Sequence, residues 1–141
     1  MTHIDIVGLE VGQVIGTPEF LLTRDSLVRY AGASGDFNSI HYRDDIAASV
    51  GLPGVLAHGM LTMGVAVQTV VNWIGDPGRV QDYQVRFTRP VVVDPTNGAD
   101  VTVVAKVAAL EEDGQVARID LTATYEEQTV LGKAQVRVLF A

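Results

Sequence analysis

Residues 58 to 78, HGMLTMGVAVQTVVNWIGDPG, constrain this chain more than any other stretch. They predict a helix of about four turns that is apolar almost all round. Only Thr62, Gln68, Thr69 and Asn72 break its apolar surface. A helix of that kind is expected to be covered on every side, so the rest of the chain must supply the cover. Gly75 and the Asp-Pro-Gly turn end it.

The cover is written in the second half. In VARIDLTATY, Ala117, Ile119, Leu121, Ala123 and Tyr125 alternate with Arg118, Asp120, Thr122 and Thr124. In GKAQVRVLF, Ala134, Val136, Val138 and Phe140 oppose Lys133, Gln135 and Arg137. Period two predicts strands with one buried face. YQVRF and VTVVAKVAAL add two more, Glu112-Asp113-Gly114 reads as a hairpin turn, and GQVIGTPEFLL supplies an edge strand. Upstream of the long helix, TRDSLVRYAGAS predicts a helix capped by Thr23, with Asp25 in its first turn. Leu27, Tyr30 and Ala31 share a face, and Gly32 and Gly35 stop it. DDIAASVG predicts a short helix with Ile46, Ala47 and Val50 inward and Gly51 as its stop.

These elements predict an α+β fold in one domain, residues 1 to 141: an antiparallel meander curled around a long central helix. Four or five strands do not close a barrel. The open edge is expected to pair with a second copy, giving a dimer. Composition agrees: with 48% hydrophobic and only 19% charged residues, some apolar surface is expected to meet another subunit. A net charge of −7 argues against nucleic acid as a partner. The absence of cysteine excludes thiol catalysis, disulfides and Cys-ligated zinc. The opening MTHIDIVGLEVG carries two acids and no apolar run, unlike a signal peptide. The weakly polar stretch 59 to 71 is too short to span a bilayer. A cytoplasmic protein without a membrane partner is expected.

Chemistry concentrates in two places. SGDFNSIHY places Asp36 and His41 five residues apart, between segments that should pack. Such a pair reads either as a solvated turn or as an acid–base pair. LAHGM, at the start of the long helix, brings His58 and Gly59. The first helical turn has unpartnered N–H groups and a positive dipole end, which can face a developing oxyanion; a glycine there lets an oxygen come close. The same residues read equally as a plain glycine-containing cap, with His58 holding the turn by a structural hydrogen bond. There are too few carboxylates and histidines for a metal site, since His3 lies in the N-terminal segment. GASGDFN follows a helix rather than a strand and is no phosphate loop, and Ser34 and Ser39 lack a nucleophile elbow. Arg79, Arg86 and Arg89 read as surface or sheet-edge charges, or as contacts to a pantetheine or nucleotide phosphate.

YAGASGDFNSIHYRDDIAA resembles the hydratase motif of MaoC-like dehydratases and (R)-specific enoyl-CoA hydratases, G-D-x-N-P-(aliphatic)-H with a small residue downstream. Here the motif positions are Gly35, Asp36, Asn38, Ile40, His41 and Ala47. LAHGML and VRFTRPV fit the same family, and the resemblance covers nearly the whole chain. More narrowly, YAGASGDFNSIHY, VGLPGVLAHGMLTMG and WIGDPGRVQDYQVRFT are similar to the family of catalytic B subunits of mycobacterial-type (3R)-hydroxyacyl-ACP dehydratases. One departure is plain: Ser39 stands where the motif has proline.

The resemblance implies a hot-dog fold and reversible dehydration of (3R)-3-hydroxyacyl thioesters to trans-2-enoyl thioesters, with no cofactor and no metal. It implies Asp36 and His41 as the acid–base pair and Gly59 as an oxyanion donor, with Asn38, Ser39 and His58 supporting the loop or binding substrate. It implies an acyl-ACP or acyl-CoA substrate, and a homodimer or a heterodimer with a second hot-dog subunit. Two alternatives stay open: a hot-dog acyl thioesterase, and a subunit active only beside a non-catalytic acyl-binding partner.

Overall fold

The computed structural model describes residues 4–140; His3 lies outside them. Strands β1 (Val14–Gly16) and β2 (Glu19–Leu22) come first. Helices α1 (Arg24–Ser34), α2 (Asp44–Ser49) and α3 (Gly59–Ile74) follow. Strands β3 (Val80–Phe87), β4 (Ala99–Glu111), β5 (Val116–Tyr125) and β6 (Gln128–Leu139) complete the fold.

The local rules act as the residues suggest at α1. Thr23 accepts from the Ser26 N–H, and Ser26 Oγ accepts from the Thr23 N–H, a reciprocal capping box. The helix runs through Gly32, which therefore does not stop it; Gly35 does, in the left-handed region at φ 78°. Leu27 and Ala31 are buried. In α2, Ala47 is buried but Val50 is not inward: it lies past the last helical turn, 61% exposed.

Among the described residues, six strands form the sheet, not four or five. GQVIGTPEFLL splits at Thr17-Pro18 into β1 and β2, both antiparallel to β4. Proline has no N–H for the ladder, yet its carbonyl still accepts from Val103 at 2.9 Å, which keeps both pieces on one edge. The order is β1-β4-β5-β6-β3, so the sheet is not a simple meander. β4, β5 and β6 are, but β3 pairs with β6 at the far edge. Residues 88–98 therefore cross back, and the crossing chain forms its own short ladder. The Ala57 N–H donates to Val91 O at 2.9 Å, and the Val93 N–H donates to Val55 O at 2.9 Å. That ladder delivers the chain to the start of α3.

α3 lies across the concave face of the sheet and touches β1, β3, β4, β5 and β6. Ala66 and Val70 are fully buried, with Val103, Ala105, Ile119, Ala123 and Val136 in the same core. Each of the buried valines and Ile119 contributes about 1.5–3 kcal/mol. β1 comes so close that a Cβ on Gly16 would meet the Thr69 methyl at 2.9 Å. Tyr83 fastens β3 to the helix by donating to the Met63 carbonyl at 2.7 Å, and burial pushes its phenol well up. The sheet covers only one side of α3, however. Met60 is 57% exposed, and Gly64, Gln68 and Asn72 continue the open stripe at helical spacing. A single chain thus does not bury this helix all round. Helix wrapped by antiparallel sheet is the hot-dog arrangement. Among the described residues, no helix is long and apolar enough to cross a membrane.

Candidate active site

The turn after α1 is built by short side chains bonding their own backbone. Ser34 Oγ accepts from the Asp36 N–H at 3.1 Å. Asp36 Oδ1 accepts from the Asn38 N–H at 3.1 Å, and Asn38 Oδ1 from the Ile40 N–H at 3.2 Å. Asn38 thereby caps a single 3₁₀ turn, Ser39–His41. The Leu56 N–H donates to Ile40 O at 3.1 Å, joining this turn to the segment that leads into α3.

His41 is fixed in tautomer as well as place. Its Nδ1 lies 2.7 Å from the Leu56 carbonyl, which can only accept. In the neutral ring, Nδ1 therefore carries the proton and Nε2 presents its lone pair. That Nε2 faces Asp36 Oδ2 at 3.9 Å, with the imidazole largely buried and the carboxylate half exposed. The distance is too long for a direct hydrogen bond, but it is short enough for a single water about 2.8 Å from each atom to bridge.

His58 sits beneath the pair. It is the N-cap residue of α3, but its side chain makes no capping bond. The ring is 1% exposed, stacks on His41 with centroids 3.8 Å apart and planes 23° apart, and takes the Tyr30 ring edge-on at 4.7 Å. Its Nε2–H donates to the Asp36 main-chain carbonyl at 3.1 Å, while Nδ1 is buried with no partner among the described residues. Burial pushes His58 below the ordinary histidine value, and the facing His41 adds to this.

Gly59 opens the helix. The Leu61 and Thr62 N–H groups return to the His58 carbonyl. The N–H groups of Gly59 and Met60 take no partner among the described residues. Glycine also keeps this helix start clear of β3: a Cβ would stand 3.0 Å from the Phe87 ring, close enough that the ring would have to shift. A cleft of about 250 Å³ begins at Gly59 and is lined by Thr62, Phe87, Arg89, Val91 and Leu131.

Ligand atoms of Asp36, His41 and His58 lie within 4.8 Å of one another, so the chain brings together more metal-type donors than its composition suggested. The set does not fit a metal. Imidazole lone pairs lie in the ring plane, and two rings stacked at 3.8 Å point theirs side by side instead of converging as a tetrahedral ion needs. His58 Nε2 and Asp36 Oδ1 are also engaged by the backbone.

The remaining candidates separate. Ser39 Oγ lies 3.5 Å from the Tyr42 hydroxyl, at the edge of the site. Arg79 faces Asp76 at 3.9 Å, and Arg86 lies with Gln84, Lys133 and Gln135 in a separate depression. Arg89 alone of the three lines the cleft at Gly59. Sequence reasoning missed Leu56, whose contribution is a carbonyl and so leaves no side-chain signal. It also missed the contact of Tyr30, which lay within the motif, with the His58 ring.

The turn also explains why serine is tolerated in the proline position. Ser39 is the first residue of the 3₁₀ turn, where an N–H is not needed, and Asn38 at φ −59°, ψ 125° already has the backbone that precedes proline. Ser39→Pro is therefore expected to raise stability by about 0.4–1 kcal/mol through the unfolded chain. Thermal unfolding should move up by about 1–4 °C; a fall would show that the turn needs the Ser39 N–H or hydroxyl.

Comparison with known proteins places this architecture. The 3-hydroxybutyryl-CoA dehydratase of Methylorubrum extorquens is 30% identical over 129 residues, which cover 88% of this chain and 80% of that protein. The 3-hydroxyacyl-thioester dehydratase X of Mycobacterium tuberculosis is 36% identical over 77 residues, 55% of this chain. This chain spans only 26% of that relative's length. A solved MaoC-like dehydratase superposes with a TM-score of 0.93 at 36% identity, over 97% of this chain and 42% of that one. Residues 7–129 match the MaoC like domain. The chain belongs to the MaoC-like dehydratase domain family.

Proposed function

We propose that this chain catalyses reversible dehydration of (3R)-3-hydroxyacyl thioesters to trans-2-enoyl thioesters and water. The observation that carries the reading is the Asp36 Oδ2 to His41 Nε2 span of 3.9 Å, wide enough for one shared water or hydroxyl, next to the open N–H groups of α3. In dehydration, the Cα–H bond breaks and its electron pair forms the double bond as the C3–O bond breaks. One of the pair takes the Cα proton, and the other gives a proton to the departing hydroxyl, which leaves as water. Hydration runs the same steps backward. Negative charge grows on the thioester oxygen as the Cα proton leaves, and the Gly59 N–H at the positive end of α3 is the donor for it.

The substrate is an acyl-ACP or acyl-CoA, met in the cytoplasm. The open stripe of α3 and the unpaired outer edge of β3 support a working dimer, with itself or with a second hot-dog subunit. The test is the purified chain, with its mass in solution recorded, given crotonyl-CoA. Loss of the enoyl absorbance without free thiol supports the proposal. Free thiol without hydration sinks it in favour of a thioesterase.

A further inference from the structure

Resting on the hydration reading, we propose that His58 is a positioning residue for the reaction, holding Asp36 and His41 in register through two different contacts of one ring. The first contact is the Nε2–H bond to the Asp36 carbonyl at 3.1 Å, which fixes the backbone from which the carboxylate projects. The second is the stack on His41 at 3.8 Å, which fixes the ring plane that the Leu56 bond alone leaves free to tilt. Tyr30 adds an edge-on contact to the His58 ring at 4.7 Å. His58 thus joins two residues 22 and 17 positions away in the chain.

A packing role does not account for an imidazole here. The side chain does not cap its own helix, and its buried Nδ1 lacks a partner, a cost that an apolar ring of the same shape would avoid. The stack also constrains charge. The titratable groups facing His58 among the described residues are Tyr30 from α1, and Asp36 and His41 from the turn; α3 contributes no acid in its first turn. A cation on His58 would oppose a cation on His41 across the stack. Burial keeps His58 neutral, so His41 can take up a proton during the cycle without meeting a second charge.

Two measurements test this separately from the hydration reading. The first needs no activity: ¹⁵N NMR of the imidazoles across pH, in the wild type and in His41→Asn. The expected result is a neutral His58 protonated on Nε2, whose titration midpoint lies below the ordinary value and rises when His41 is replaced. A His58 midpoint that does not move in His41→Asn overturns the direct coupling. The second is steady-state hydration by His58→Gln, which keeps a donor toward Asp36, and His58→Phe, which keeps the stacked ring. Each is expected to lower kcat about tenfold or more with KM within about threefold, and each is expected to fall less far than His58→Ala. Added to His41→Asn, either should cost less than about twofold further, because its effect passes through the pair. Equal fold-losses with and without His41, or a change confined to KM, would assign His58 a purely structural part.

Discussion

Asp36→Asn and His41→Ala are each expected to lower kcat for crotonyl-CoA hydration by at least about 10²-fold, the lower range for a positioned acid–base group. The two losses should not multiply, since the two residues serve one elimination as a unit; the double variant should resemble the worse single one. Asp36→Asn is the cleaner substitution. The amide oxygen still accepts from the Asn38 N–H at the Oδ1 position, so the turn stays capped while Oδ2 loses its charge. His41→Ala does more: it removes the donor to the Leu56 carbonyl and uncovers the His58 ring. Some loss of stability is expected from it, so its folding must be checked by thermal unfolding beside its rate. Turnover within threefold of wild type for Asp36→Asn would remove the carboxylate from the mechanism.

Acid sensitivity of the fold is the second expected effect, and it arises from His58. Burial lowers this histidine below its ordinary 6.5, so the folded chain resists protonation that the unfolded chain accepts. Well above pH 6.5 both states are neutral at this position and pH has no leverage. As pH falls below 6.5, the unfolded chain binds the proton first, and stability drops by up to about 1.4 kcal/mol per unit until the folded ring also titrates. His58→Gln cannot take the proton. Denaturant unfolding at pH 7.5 and 5.5 should therefore show a larger loss for wild type than for His58→Gln. Parallel losses would mean that His58 is not buried in its neutral form.

Much of this was legible in the residues, because the strongest signals were local. Period two in VARIDLTATY and GKAQVRVLF placed Ile119, Leu121, Val136 and Val138 in the core, where they lie. Thr23 and Gly35 bounded α1 as caps do. What the sequence did not show depends on contacts between distant segments. Strand order is one case: nothing in YQVRF says that it pairs with β6 rather than β4, since either edge satisfies its alternation. Val50 is another. Its spacing suited the inner face of α2, but that helix ends one residue earlier and leaves it exposed. The apolar sequence of α3 predicts cover on every side, but the sheet covers one side and leaves Met60, Gly64, Gln68 and Asn72 exposed.

At the site, the motif holds Asp36, Asn38 and His41, which the structure sets on one short turn. It could not show the Leu56 carbonyl that sets the His41 tautomer, because backbone groups carry no residue signature. Nor could it show that His58 turns away from its helix and stacks on His41.

The central claim is that water adds to carbon 3 of an enoyl thioester that stays intact. Incubation of crotonyl-CoA with the chain in ¹⁸O-labelled water, followed by mass spectrometry and chiral analysis of the product, tests it most directly. The predicted result is one ¹⁸O atom on the 3-hydroxyl of (3R)-3-hydroxybutyryl-CoA, lost when Asp36 is replaced by asparagine. Label found instead in the carboxylate of a free acid would contradict it.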